Sequence, residues 1–362
     1  MRKLSLLLGL CSVLVPFVAR AQTDILEFPG ICDASAAVAI DENRIIVGDD
    51  EKPALFIYNH RTRELVPPPI PLPASFFGSH SEKDDPPESD VEGAAVFNGQ
   101  IVWITSHGRN KNGKFRPDRF QLFASHRIDA SGAGVTEAFS GSYHALPTLI
   151  MHTTDSSYAP LQKALGHTGE TAPELAPKRA GFNIEGITTT PDGKSLWIGL
   201  RNPLTTKVDG SAFLLQLDGI QVALDGHPGQ PVLGPVKLVN LGGRGIRDIV
   251  WSPAHGSYLI IGGPIDDQAT VNNPGFALFS WTGSGDPSQV HAFDDIIGGI
   301  KQQFHPEAIV PLPQRIDGKL TPSKEVLLIS DDGERRKEEE GVVCKDLPDA
   351  KKSFRGVVRR VN

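Results

Sequence analysis

One pattern recurs along this chain and limits what it can fold into: an acidic residue, an apolar run, a tight turn, and a second apolar run. It appears at Glu92-Gly-Ala-Ala-Val with Gln100-Ile-Val-Trp-Ile, and at Glu185-Gly-Ile-Thr-Thr with Ser195-Leu-Trp-Ile. It returns at Asp248-Ile-Val-Trp with Ser257-Tyr-Leu-Ile-Ile, and at Glu307-Ala-Ile-Val with Glu325-Val-Leu-Leu-Ile. A fifth copy, Ser35-Ala-Ala-Val-Ala-Ile with Arg44-Ile-Ile-Val, has Ser at the head and Asp33 two residues earlier. Short runs rich in β-branched residues and joined by turn formers such as Asn98-Gly99 and Asp192-Gly193 read as β-hairpins.

A third run follows each hairpin, at Leu55–Tyr58, Phe120–Phe123, Phe213–Leu217, Phe276–Trp281 and Phe354–Val358. Fourth runs stand at Glu64–Val66, Val236–Val239 and Val290–Phe293, with a weaker one near Val135. Four strands per unit, repeated, make a propeller blade. The expected fold is therefore all-β, a single β-propeller of five blades. Six blades and a two-sheet sandwich are the alternatives, but a sandwich gives no reason for an acid at the head of four hairpins. The fifth unit has only three strands, and Asp24–Phe28 at the start is the spare one, so an N-terminal strand is expected to close the ring. The heads lie 57, 93, 63 and 59 residues apart. The long gap holds an insertion over about 140–180, in which Ser156–Leu165 reads as a capped helix.

Residues 1–21 read as an export signal: Arg2 and Lys3, an apolar run from Leu4 to Val18, and the small-x-small Ala19-Arg20-Ala21. The run is short for a membrane span. The expectation is a mature domain over 22–362, periplasmic or secreted, with no membrane span after cleavage. The signal has three basic and no acidic residues, so its loss takes the formal charge from −7 to −10. That balance argues against a nucleic-acid partner. Cys32 and Cys344 remain, one near each end; a disulfide across the ring seam and a pair of buried thiols are the two readings open to them.

In a hairpin the start of the first strand lies beside the end of the second. One rim of the ring should therefore gather Asp33, Asp49, Asp50, Glu92, Glu185, Asp248, Glu307, Asp331 and Asp332. Clustered carboxylates repel, and a hard cation, basic groups or protons relieve them. An all-oxygen set suits calcium, so Asp49, Asp50, Glu92, Glu185, Asp248, Glu307, Asp331 and Asp332 are the candidate metal ligands. The competing reading has such acids accepting backbone N–H bonds from the neighbouring blade. Arg109, Arg201, Asn202, Arg244 and Arg247 are candidates to hold an anion, and His107 and His305 to move protons; alternatively these groups only balance the acids. The charged run from Arg335 to Glu340 reads as a solvated loop, and the polar stretch 79–89 as a loop over the second blade.

No nucleophile elbow, phosphate loop, zinc motif or Cys-x-x-Cys occurs. The segments Asp90-Val-Glu-Gly-Ala-Ala, Asn183-Ile-Glu-Gly-Ile-Thr, Asp33-Ala-Ser-Ala-Ala and His305-Pro-Glu-Ala resemble a bacterial family known as domain of unknown function 3616. More distantly they are similar to the esterase-like phytase propellers, and that resemblance implies a phosphoester hydrolase. The sequence thus leaves two functions open. One is a binding module for a small anionic ligand or an extracytoplasmic partner; the other is a calcium-dependent phosphoesterase.

Overall fold

The structure, a computed structural model, describes residues 25–77, 88–126, 139–167, 169–178, 180–206, 210–266, 274–291, 304–337 and 340–362. After β1 (Leu26–Pro29), blade one comprises β2 (Ala34–Ala39), β3 (Arg44–Asp49), β4 (Ala54–Asn59) and β5 (Glu64–Pro71). Blade two comprises β6 (Val91–Phe97), β7 (Gln100–Thr105), β8 (Leu122–His126) and β9 (Phe139–Tyr143), followed by α1 (Leu146–His152) and α2 (Ala159–Leu165). Blade three comprises β10 (Asn183–Thr189), β11 (Ser195–Leu204) and β12 (Ala212–Asp218). Helix α3 (Ile220–Leu224) follows, and β13 (Val232–Leu233) and β14 (Lys237–Val239) both pair with β12. Blade four comprises β15 (Gly245–Ser252), β16 (Ser257–Gly263), β17 (Ala277–Trp281) and β18 (Ser288–Val290). Blade five begins with β19 (Pro306–Ile316) and β20 (Lys319–Ser330); a small hairpin of β21 (Arg336–Lys337) and β22 (Val342–Val343) then leads to β23 (Ser353–Arg360).

The inner strands form a closed circle: β2 lies against β6, β6 against β10, β10 against β15, β15 against β19, and β19 against β2. Five blades close the ring, which sets aside the six-bladed and sandwich alternatives. The apolar core is correspondingly split into five wedges, one between each pair of adjacent blades. Alternate strand residues face each wedge, so each face of a blade buries its own set of side chains.

The spare N-terminal strand completes blade five. β1 pairs antiparallel with β23, Leu26 opposite Gly356 and Pro29 opposite Ser353. Phe28 stacks on Phe354 with centroids 4.9 Å apart, and Tyr58 of blade one meets both rings edge-on. The Tyr58 hydroxyl donates to the Pro29 carbonyl at 2.8 Å. Cys32 and Cys344 form a disulfide across the same seam, their Cα atoms 6.0 Å apart. β1 thereby covers the outer edge of β23 and becomes the fourth strand of blade five.

Several local expectations change. The first residues of the supposed insertion, up to Tyr143, belong to β9, the outer strand of blade two; the inserted segment begins after it and holds two helices rather than one. The Asp155 carboxylate accepts the Ser157 N–H at 2.9 Å and starts the turn that leads into α2. The charged run near residue 335 is not wholly a solvated loop: Arg335 is buried, and Arg336 opens β21. The signal segment, the strand near Val135 and the loop up to residue 87 lie outside the described residues. Among the described residues no helix is long and apolar enough to cross a membrane.

Candidate functional site

Every inner strand breaks register at one common place, and β10 and β19 break it a second time. Ala34 and Ala36 pair with Asp49 and Gly48, leaving Ser35 as the extra residue. The same step skips Glu92 in blade two, Glu185 in blade three, Arg247 in blade four and Glu307 in blade five. A bulge re-aims one side chain out of the pleat. Here it does so once per blade, at the mouth of the central channel.

This register corrects the alignment in blade four. Arg247, not Asp248, is the counterpart of the three glutamates. Its Nε lies 2.7 Å from Glu185 Oε2, and its Nη2 is ion-paired with Glu307. Glu185 also receives Arg201 Nη1 at 2.8 Å and Asn183 Nδ2 at 2.7 Å on Oε1. Arg201 further donates to the Pro264 carbonyl at 3.1 Å. Blades three, four and five are thus tied by two arginines and two glutamates with little access to solvent.

The residue after the bulge faces the backbone of the next blade. A Cβ on Gly93 would stand 3.1 Å from the amide nitrogen of Ile187, and one on Gly186 would stand 3.1 Å from that of Ile249. Glycine suits that close approach in blades two and three, while Ala36 and Ala308 hold the same position in blades one and five. Asp248 occupies this position in blade four. Its carboxylate accepts Ile249 N–H at 2.7 Å and, from blade five, Ile309 N–H at 2.6 Å. It is a clamp between blades. Burial pushes its carboxyl up to about 7, against the pull of those two bonds.

Two other predicted ligands are also held by the protein. Asp49 accepts the N–H groups of Glu51 and Lys52 at 3.0 and 2.7 Å, closing a turn. Asp332 is fully buried and receives Arg355 through two nitrogens at 2.8 and 2.7 Å, Arg335 at 3.3 Å and Ser330 Oγ at 2.9 Å. Of the eight proposed ligands, Asp49, Glu185, Asp248, Glu307 and Asp332 are therefore already partnered. The eight do not form one site.

The other side of the mouth differs. Asp33 and Asp50 of blade one, Glu92 of blade two and Asp331 of blade five have no basic partner within hydrogen-bonding reach among the described residues. Asp50 Oδ1 is buried with no hydrogen-bond partner. Burial, then Asp331 and Asp49, pushes the Asp33 carboxyl up to about 9. Burial, then Asp33, Asp331 and Glu92, holds Asp50 well above the carboxylate range. Glu92 is raised by burial and by Glu185, and Asp331 goes up to about 6 through burial. Among the described residues no three His, Cys, Asp or Glu side chains stand close enough to hold a metal as they are. The donor set is nonetheless all oxygen, it is raised in pKa by burial first and by its neighbouring carboxyls second, and it contains an orphaned oxygen. That chemistry fits a hard cation taking the place of protons.

The supposed anion holders are occupied elsewhere. Arg109 pins the insertion: it donates to the carbonyls of Gly113 at 3.2 Å, His167 at 2.6 Å and Leu165 at 3.4 Å, and to that of Glu170. Arg244 donates to Gly275 and Leu241 carbonyls at 2.6 and 3.0 Å. Asn202 reaches the carbonyls of Pro177 and Ile265. His107 is buried at φ 52°, gives its Nδ1 proton to the Thr105 carbonyl at 2.9 Å, and meets Phe120 edge-on. Burial depresses it to about 4, and no rim carboxylate acts on it. His305 does lie by the mouth, half-buried and stacked on Phe276, its pKa lowered by burial and by Arg247.

Sequence reasoning left out Arg355, Arg335, Asn183 and Ser35. Ser35 donates to the Val91 carbonyl of blade two. Its place at the head of a repeat was one available signal, and the closeness of Asn183 to Glu185 and of Arg335 to Asp332 another; Arg355 reaches Asp332 from 23 residues along the chain.

No curated protein matches the chain. Solved structures of similar overall architecture include a PQQ-bound aldose sugar dehydrogenase from Streptomyces coelicolor, 9% identical over 94% of this chain and 99% of that one, with a TM-score of 0.42. A luciferin-regenerating enzyme is 8% identical over 92% and 95%, with a TM-score of 0.39. A streptogramin B lyase is 10% identical over 94% and 98%, with a TM-score of 0.37. None of these likenesses bears on chemistry. The profile that matches is that of the Protein of unknown function (DUF3616) family; it covers residues 152–346, and with them Glu185, Arg201, Arg247 and Glu307, and the chain belongs to this family.

Proposed function

We propose that this protein is an exported binding propeller whose channel mouth takes a hard divalent cation, calcium by its donor chemistry, on Asp33, Asp50, Glu92 and Asp331. The observation that carries this reading is the unpartnered Asp50 Oδ1, shielded from solvent among three other carboxyls that no base hydrogen-bonds among the described residues. Without a cation these groups keep protons; a cation replaces the protons and presents its remaining coordination positions to an oxygen-bearing ligand at the mouth. The disulfide supports an oxidising, extracytoplasmic setting.

Arg201 and Arg247 are committed to Glu185 and Glu307, which weighs against a free guanidinium clamp for a phosphate. The hydrolase reading rests on His305 beside Arg247 as a proton carrier. A screen of phosphoesters with and without calcium separates it from simple binding.

The test of the cation reading is a thermal melt and a calorimetric titration with calcium and with chelator. A ligand at 100 times its Kd stabilises by about 2.7 kcal/mol. Binding should release protons, so its heat should change with buffer and its affinity rise with pH. Asp50→Asn and Glu92→Gln should each weaken it severely, and Asp248→Asn should not. Absence of a shift with every divalent cation removes the proposal.

A further inference from the structure

At the end of the ring away from the acidic mouth, the wedge between blades five and one opens into a cleft of about 220 Å³. Gln314, which lines it, lies seven residues beyond the bulge at Glu307 on β19, roughly 20 Å along the strand. Leu312, with Leu26 and Val358 packed beside it on the apolar core of that wedge, forms the floor. His60 and Arg61 enter from the turn between β4 and β5 of blade one, and Gln314 and Glu325 from β19 and β20 of blade five.

The polar groups of the cleft are fixed in place but not used up. Asn59 Oδ1 accepts the N–H groups of Arg61 and Thr62 at 3.0 and 3.1 Å, which sets the turn. The Glu42 carbonyl accepts His60 Nε2–H at 3.0 Å and Arg61 Nε–H at 3.3 Å. Nε2 therefore carries the ring proton, and burial, which lowers the His60 pKa, keeps Nδ1 as the acceptor of a neutral imidazole. Arg61 commits only its Nε, and among the described residues neither of its terminal nitrogens has a protein acceptor. The Glu42 carboxylate is taken by Arg315 at 2.7 and 2.9 Å. That of Glu325 has no ion-pair partner among the described residues, although Arg360 stands opposite it in the β20–β23 pairing.

We propose that this cleft binds a small zwitterion, an α-amino acid with an aliphatic side chain. Arg61 takes the carboxylate on its planar fork, Glu325 and His60 Nδ1 accept from the ammonium, and the side chain lies on Leu26, Leu312 and Val358. Charge complementarity selects this class: an uncommitted guanidinium suits a carboxylate, an unpaired carboxylate suits an ammonium, and the apolar floor lies with both. The volume is below the roughly 300–1,000 Å³ of pockets that enclose drug-sized ligands, which limits the occupant to a molecule of amino-acid size. The site stands apart from the acidic mouth and does not rest on the cation reading.

Calorimetric titration with leucine, N-acetyl-leucine and leucine amide tests this. Leucine should bind, and loss of either of its charges should weaken binding about tenfold or more, the scale of one charge-assisted hydrogen bond. Arg61→Gln should abolish the preference for leucine over leucine amide, and Glu325→Gln the preference over N-acetyl-leucine. Both side chains are exposed, so neither change disturbs the core. Asp50→Asn should leave leucine binding as it was. Equal binding of leucine and N-acetyl-leucine would mean that Glu325 recognises nothing and that the zwitterion assignment is wrong. No binding of leucine to the unaltered protein would remove the site and leave the cation reading untouched.

Discussion

Arg247 Nε lies 2.7 Å from Oε2 of Glu185, joining the bulge residues of blades four and three through a guanidinium that also reaches Glu307 in blade five. Three blades, whose strands are separated by some sixty residues of chain, share one buried ion pair network. Removing Arg247 strips Glu307 of its ion pair and leaves Glu185 with Arg201 and Asn183 on one oxygen only.

Arg247→Met should therefore destabilise the protein by about 3–5 kcal/mol, the cost of breaking a buried pair from one side. Arg247→Lys should recover little, because a single ammonium does not span both glutamates as the planar fork does. Urea unfolding of the two variants checks this; a loss below about 1 kcal/mol would mean the pair is open to water.

Asp248→Ala should cost about 1–3 kcal/mol by stranding the N–H groups of Ile249 and Ile309. Calcium stabilisation should persist in this variant. A normal stability with a lost calcium response would return Asp248 to the ligand set.

Arg109→Ala should free the segment 165–170 from blade two. Amide exchange and proteolytic cleavage over α1 and α2 should speed up, while the strands and the calcium response stay as they were. Unchanged protection there would show that the helices are held by their apolar contacts alone.

The pH dependence follows from burial. Asp33 is held at about 9, Asp49 and Asp248 at about 7 and Asp331 at about 6, whereas an unfolded aspartate titrates near ~4. Between ~4 and those values the folded chain keeps protons that the unfolded chain has lost. Their stabilisation is full below about pH 4 and disappears as pH rises through the folded values. His107, depressed to about 4, acts the other way and adds stability as pH climbs toward ~6.5. Asp50, Asp90 and Glu92 are raised as well, and His60 and His305 lowered; three imidazoles against seven carboxyls leave a downward slope. In chelator, stability from urea unfolding should fall between pH 5 and 9, and calcium should offset the loss; a rise over that range would contradict the protonated cluster.

Much of this was legible in the residues. The repeat of apolar runs and turns around Glu92, Glu185 and Glu307 specified hairpins, and their number favoured five blades, because strand period and turn chemistry are local properties. The spare strand before Cys32 announced the closure, since a three-stranded last unit needs a fourth. The gathering of acids at one mouth followed from the same geometry. Local pattern does not say which acids have partners. Asp248 looked like a member of the glutamate series, yet a bulge one residue earlier hands that role to Arg247. Arg109, Arg244 and His107 looked available, yet each is spent on groups that the sequence places far away or on an adjacent turn.

The sequence by itself determined the hairpins and the closing strand and favoured five blades over six, because these depend on side-chain periodicity and turn formers within a few residues. Only the tertiary structure decided which charges neutralise each other. Ion pairing inside a protein depends on distance and burial across the ring, and residues as remote as Glu185 and Glu307, or Asp33 and Asp331, acquire a common environment only once the ring is closed.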